Sequence, residues 1–273
     1  MKYQPTSDQV EHYQRDGFIV IEDFLDADEL EHWRATTQDA VDKRLQASAT
    51  AAGWGKDSNS LTNQGNPDGY YAQVFTQCIR LADTHEGMKE LMFDARMGEL
   101  AGTLAGVDGI RIWHDQALFK PPYGNATAWH LDNPFWSFHS QDSLSIWVAL
   151  DDATLGNGCM WYIPGTHKLA TYENAEIGQN QRDLFKKYPD WAHMPSKSAP
   201  ARAGSAVLHN GLCAHGAGAN MTAGPRRAIT CAYMPDGATF NGQQNVLPDE
   251  LFARYQIGDV LDAEFNPLIW RKA

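Results

Sequence analysis

Near Ile110 the texture of the chain changes, and that change limits the folds open to it. Upstream, the signals are mostly helical. Thr6-Ser7-Asp8-Gln9 reads as a capping box opening a short helix that stops at Asp16-Gly17. Residues 18–21 form an apolar run of strand type. Asp26, with Glu29 three residues on, begins a longer helix through about Leu45, with Leu30, Trp33, Val41 and Leu45 on its apolar stripe. Residues 46–68 are small and polar and read as a loop; helical spacing returns over 88–93 and 97–104. From Ile110 onward, short apolar or alternating segments recur at 110–119, 126–132, 144–151, 159–163, 205–209, 212–216 and 226–234. Gly, Pro or Asn turns separate them, as at Pro121-Pro122-Tyr123-Gly124 and Gly156-Asn157-Gly158. Helices followed by many short strands predict a mainly β fold with flanking helices, a sandwich or barrel. No domain boundary is visible. A single domain over 1–273 is expected, with a helical N-terminal region (1–109), a β core at 110–168 and 201–240, and an insert at 169–200. That insert carries Tyr172, Phe185, Tyr188 and Trp191 and reads as a lid-like cover.

Composition narrows the partners. The chain has 273 residues, 43% of them hydrophobic and 21% charged, which is globular rather than disordered. A formal charge of −12 argues against a nucleic-acid backbone or an anionic membrane as partner. No apolar run approaches the roughly 18 residues of a membrane span, and the first residues lack an apolar segment behind a basic one. The four cysteines are widely spaced without a CxxC pair, so a reduced, cytoplasmic location is expected. A small molecule is the expected partner.

Ten histidines are more than packing usually demands. His130-Leu131-Asp132 ends a strand-like segment, and side chains at i and i+2 share one face of a strand. His215, ending the apolar segment 205–214, can add a second imidazole. Two histidines and one carboxylate on one face form the triad that holds non-haem Fe(II) and leaves positions open for an oxoacid and dioxygen. The far carboxylate of such an oxoacid needs a basic group. Arg226 or Arg227, on a strand returning after the Gly216–Gly224 turn, can supply a bidentate guanidinium. They point to opposite faces, and spacing alone does not choose between them. His114, His167 and His209 are assigned to turns or the core.

Taken together, several motifs resemble the phytanoyl-CoA dioxygenase (PhyH) family of Fe(II)/2-oxoglutarate-dependent oxygenases. They are Trp129-His130-Leu131-Asp132, Asn157-Gly158-Cys159, Pro164-Gly165-Thr166-His167, and the block from His215 to Arg226-Arg227-Ala228-Ile229. The opening Arg15-Asp16-Gly17-Phe18 is similar as well. The resemblance implies a double-stranded β-helix, or jelly roll, with His130, Asp132 and His215 on iron. It selects Arg226 as the oxoglutarate clamp and implies cosubstrate roles for Trp147, Gln116 and Thr127. Strand parity sets Thr127 opposite His130 unless a bulge intervenes. Where some members carry a hydroxyl two residues after the distal histidine, this chain has Ala217, so that hydrogen bond is lost or relocated.

The implied cofactors are Fe(II), 2-oxoglutarate as cosubstrate, and O2. The implied reaction is hydroxylation of a small organic molecule with release of succinate and CO2. Asn133, Trp136, His139, Tyr71 and Trp161 are the expected substrate wall. Two rivals stand beside this reading: epimerisation, desaturation or cyclisation at the same centre, and a non-catalytic jelly-roll binding protein.

Overall fold

Reciprocal hydrogen bonds start both N-terminal helices. In α1 (Ser7–Asp16) the Thr6 hydroxyl accepts from the Gln9 amide, and the Gln9 side chain accepts from the Thr6 amide. Caps of this kind contribute roughly 1 kcal/mol. Gly17 ends the helix at φ +83°, where a Cβ would lie 2.4 Å from the His167 ring, so no side chain fits. β1 (Phe18–Ile21) follows. Asp26 and Glu29 then exchange the same pair of bonds at the start of α2 (Ala27–Thr50). The computed structural model describes residues 1–50, 70–262 and 265–273. The helix α2 outruns its expected end near Leu45, because residues 46–50 contain neither glycine nor proline to stop it. The rest of the loop expected over 46–68 lies outside the described residues.

The following elements are β2 (Thr76–Ile79), α3 (Glu86–Met92), α4 (Ala95–Ala105), β3 (Gly109–Phe119), β4 (Thr127–His130), β5 (Leu144–Ala149) and β6 (Met160–Tyr162). Then come α5 (Leu184–Lys187), β7 (Lys197–Ala199), β8 (Ala206–Asn210), β9 (His215–Ala217), β10 (Ala228–Pro235), α6 (Asp249–Phe252) and β11 (Leu268–Arg271). The larger sheet runs β1-β8-β5-β10-β3-β11, with β2 also paired to β3; the smaller runs β4-β9-β6-β7. All these pairs are antiparallel. This is the jelly roll with flanking helices. β2, β7 and β11 are not legible as strands in the sequence: each is short, and pairing to β3 or β6 is what extends it. The sheets therefore draw β1, β2, β7 and β11 from outside 110–168 and 201–240.

Strand parity divides the core. Along β5, Ile146 and Val148 join the cluster beneath the helices with Trp33, Met88 and Leu100, while Trp147 and Ala149 face the space between the sheets. Each fully buried aliphatic side chain contributes about 1.5–3 kcal/mol. The insert packs its own cluster, Leu184, Tyr188 and Trp191, against Leu131, Ile163 and Leu212 beside β4 and β9. All four cysteines are free and buried. Among the described residues no helix is long and apolar enough to cross a membrane.

Candidate metal centre

β4 and β9 pair so that His130 lies directly opposite His215, with ring centroids 4.2 Å apart. Asp132 follows on the turn after β4, and Gly211 fixes that turn. The amides of Asp132 and Asn133 both donate to the Gly211 carbonyl, at 3.0 and 2.9 Å. A Cβ at Gly211 would meet Ser143 Oγ at 2.7 Å and Asn133 Cβ at 3.0 Å, so only glycine permits this approach. One ligand atom from each of His130, Asp132 and His215 then lies within 4.8 Å of the others. The two Nε2 atoms stand 3.5 and 3.6 Å from Asp132 Oδ1.

The tautomers follow from the backbone. His130 Nδ1 is 2.8 Å from the Ala128 carbonyl and His215 Nδ1 is 2.9 Å from the Cys213 carbonyl. A carbonyl only accepts, so both Nδ1 atoms carry protons and both Nε2 lone pairs are free for a cation. Asp132 Oδ2 is held from the other side. It accepts from Ser145 Oγ at 3.2 Å and from His209 Nε2 at 3.0 Å, residues that face each other across β5 and β8. The Tyr162 hydroxyl, 3.0 Å from His209 Nδ1, donates to that atom and so fixes the tautomer. Burial raises the Asp132 carboxyl, but His215, His130 and His209 outweigh it and hold it well below the usual carboxylate range. Burial and then His130 push His215 well below the usual imidazole range, which keeps it neutral.

A cavity of about 380 Å³ opens on this cluster between the two sheets. Trp147, Gln116, Thr127, Tyr71 and Trp136 line it together with the triad. Thr127 reaches it because the β4–β9 register shifts between Thr127 and His130, a bulge that cancels the expected parity. Thr127 stands opposite Ala217, and its Oγ1 is buried without a partner. Asn133, His139 and Trp161 are not among the lining residues. Asn133 Oδ1 accepts from the Ser140 amide at 3.1 Å. His139 stacks on Tyr172 at 4.3 Å. Trp161 alternates with Met160 and Tyr162 along β6, which turn the other way.

The two arginines separate cleanly. Arg227 reaches Asp151 through two nitrogens at 2.9 and 2.8 Å. Arg226 is fully buried, and none of its three guanidinium nitrogens has a hydrogen-bond partner. It lies 5.1 Å from the Trp147 ring and 5.6 Å from that of Phe75, both of which line the cavity. Burial lowers it to about 10. A buried cation with partnerless donors fits a carboxylate ligand. Lys120, beside the Pro-Pro turn, is wholly buried, donates to the Asn125 carbonyl, and sits 4.5 Å from the Phe75 ring.

Three polar residues take roles at the cavity that the sequence does not announce. His209, expected in the core or a turn, orients Asp132. His114, expected likewise, lines the cavity with a buried, partnerless Nδ1; the available signal is its i,i+2 relation to Gln116 on β3. Thr230 lines it too, its Oγ1 without a partner, four residues along from Arg226.

The sequence model of the phytanoyl-CoA dioxygenase (PhyH) family matches residues 13–228. A phytanoyl-CoA dioxygenase of Arabidopsis thaliana is 24% identical over 248 residues, covering 82% of this chain and 87% of that protein. Among solved structures, the non-haem α-ketoglutarate-dependent carbocyclase SnoK of nogalamycin biosynthesis superposes with a TM-score of 0.76 at 26% identity, over 97% of this chain and 96% of that one. The epimerase SnoN, in complex with Fe3+, α-ketoglutarate and nogalamycin RO, gives 0.72 at 26%, over 96% and 97%. With a jelly roll, a two-histidine, one-carboxylate cluster and a match across most of its length, the chain belongs to the phytanoyl-CoA dioxygenase family of Fe(II)/2-oxoglutarate-dependent enzymes.

Proposed function

We propose that the cavity hydroxylates a carbon of a small organic molecule, with His130, Asp132 and His215 holding Fe(II) and Arg226 clamping the distal carboxylate of 2-oxoglutarate. The observation that carries this is the pairing of a preformed ligand cluster with a buried guanidinium lacking any partner. Bound iron and 2-oxoglutarate supply oxidative decarboxylation, giving succinate and CO2, and the power to cleave a C–H bond. The chain's own residues bind, orient and exclude water. Ala128 and Cys213 fix the imidazoles, and His209 and Ser145 fix the carboxylate. Thr127 offers its hydroxyl from the strand opposite Ala217, which lacks one. Trp147 and Gln116 flank the cosubstrate from the strands on either side of β10, each across from Thr230. Tyr71 and Trp136 wall the substrate side, and the segment 169–200 covers it. The four buried thiols support a reducing, cytoplasmic setting.

Anaerobic titration of the protein with Fe(II) and 2-oxoglutarate tests this. A weak visible charge-transfer band is expected in the wild type and not in Asp132→Ala. A wild type without the band would leave a jelly-roll binding protein as the better reading. The similarity to SnoK and SnoN favours a second outcome at the same centre, cyclisation or epimerisation, which product analysis separates from oxygen insertion.

A further inference from the structure

Among the described residues lining the cavity there is no lysine or arginine. Of the buried cations nearby, Arg226 and Lys120 sit against the Phe75 ring, one assigned to 2-oxoglutarate and the other bonded to the Asn125 carbonyl, while Arg80 is paired with Asp83 and Arg44 donates to the Ile79 and Arg80 carbonyls. The acids of the lining are Asp132 and Glu176. Iron and Arg226 together balance Asp132 and a dianionic cosubstrate, which leaves Glu176, exposed at the mouth, as the lining acid with no lysine or arginine beside it in that lining. Its place there is built rather than accidental. The Asn174 side chain donates to the Leu131 carbonyl at 2.7 Å and accepts from the Leu131 amide at 3.1 Å, gripping the residue between two of the proposed ligands. The Tyr188 hydroxyl donates to the Glu173 carbonyl at 2.8 Å, tying the same stretch to its own cluster. Glu176 and Ile177 are thereby brought onto the cavity.

A second feature points the same way. His114 is 6% exposed, its Nδ1 has no partner, and its ring meets Trp136 edge-on at 6.3 Å. Burial lowers it to about 4, so at neutral pH it offers a neutral hydrogen-bonding group and no positive charge. Tyr71, Phe135 and Trp136 add aromatic surface, whose ring faces attract cations.

We infer that the substrate is an organic cation, an amine or quaternary ammonium with an apolar body, selected by Glu176, and that phosphates, carboxylates and CoA esters are disfavoured. This rests on the cavity being the Fe(II)/2-oxoglutarate site. The test uses matched probes, n-butylammonium and butanoate, titrated into the anaerobic protein with Fe(II) and 2-oxoglutarate, with quenching of Trp136 and Trp147 fluorescence as the readout. The ammonium is expected to bind at least about fivefold more tightly. Glu176→Gln should bring the ratio close to one, and Glu176→Lys should reverse it, with the charge-transfer band intact in all three proteins. Equal binding of both probes, an unchanged ratio in Glu176→Gln, or no ammonium binding into the millimolar range would overturn the inference while the band persists. Absence of the band in the wild type would instead overturn the site assignment, and the inference with it.

Discussion

Replacing Arg226 by methionine should stabilise the protein and disable it at once. Methionine keeps an apolar stem in the space near Phe75 and Trp147 and removes three buried nitrogens that have no partner. A buried unsatisfied donor costs about 1–3 kcal/mol, more when charged. The two ring contacts offset up to about 2 kcal/mol of this, and the smaller side chain leaves a void costing about 1 kcal/mol. For the charged guanidinium as a whole the cost is about 4–5 kcal/mol, so the net gain is about 1–2 kcal/mol, or a melting temperature roughly 2–6 °C higher without 2-oxoglutarate. The ligand effect runs the other way. In the wild type, 2-oxoglutarate at about a hundred times its Kd adds about 2.7 kcal/mol of stability. Losing a bidentate charge-assisted pair weakens binding by about 3 kcal/mol, roughly 150-fold. The same concentration then lies below Kd and adds only about 0.3 kcal/mol. Thermal unfolding with Fe(II) under anaerobic conditions, with and without 2-oxoglutarate, measures both effects. A variant that melts below the wild type in the absence of ligand would mean the guanidinium has partners after all. One that keeps the full ligand-induced shift would place the clamp elsewhere.

Four further outcomes follow from the geometry. His209→Gln should weaken Fe(II) binding about 10- to 100-fold by freeing Asp132 Oδ2, read by competition with a metal-sensitive dye; unchanged affinity would remove His209 from that role. Gly211→Ala should cost about 2–3 kcal/mol in denaturant unfolding, since the new Cβ would overlap Ser143 Oγ at 2.7 Å, and a near-neutral result would show that the turn relaxes. For Lys120, burial and then Arg226 lower the folded-state value from 10.5 to about 7. The unfolded chain thus holds more protons than the folded one between those values, and stability rises with pH across that window. Lys120→Met should therefore gain most relative to the wild type below about pH 7, and that gain should fade toward about pH 10; a pH-independent difference refutes this. Limited proteolysis of residues 169–200 should slow when 2-oxoglutarate and a binding ammonium are added together, and undiminished cleavage would end the cover assignment.

How far the sequence reaches varies by residue. The caps at Thr6 and Asp26 are legible because capping is local: donor and acceptor lie three residues apart. The strands from Ile110 onward are legible because burial on alternate faces writes a period of two into the chain. The choice between Arg226 and Arg227 is open on spacing alone, and burial separates them, one inside without a partner and the other on Asp151. His114 is recoverable from parity with Gln116. Thr127 is not, because a one-residue bulge inverts parity and leaves no mark in composition. The role of His209 is also hidden, since it depends on Ser145 and His209 meeting across β5 and β8, far apart in sequence.

The sequence by itself determined the element types, the approximate bounds of most strands, and the chemical kinds available for the centre: imidazoles, a carboxylate and a guanidinium in a workable order. Those follow from interactions that span a few residues, which a linear pattern records. The tertiary structure decided which of those groups converge. The register of β4 on β9, the close approach at Gly211 and the grip of Asn174 on Leu131 set where Thr127, Asp132 and Glu176 point. Contacts between residues tens of positions apart depend on how whole sheets pack, and no local pattern encodes them.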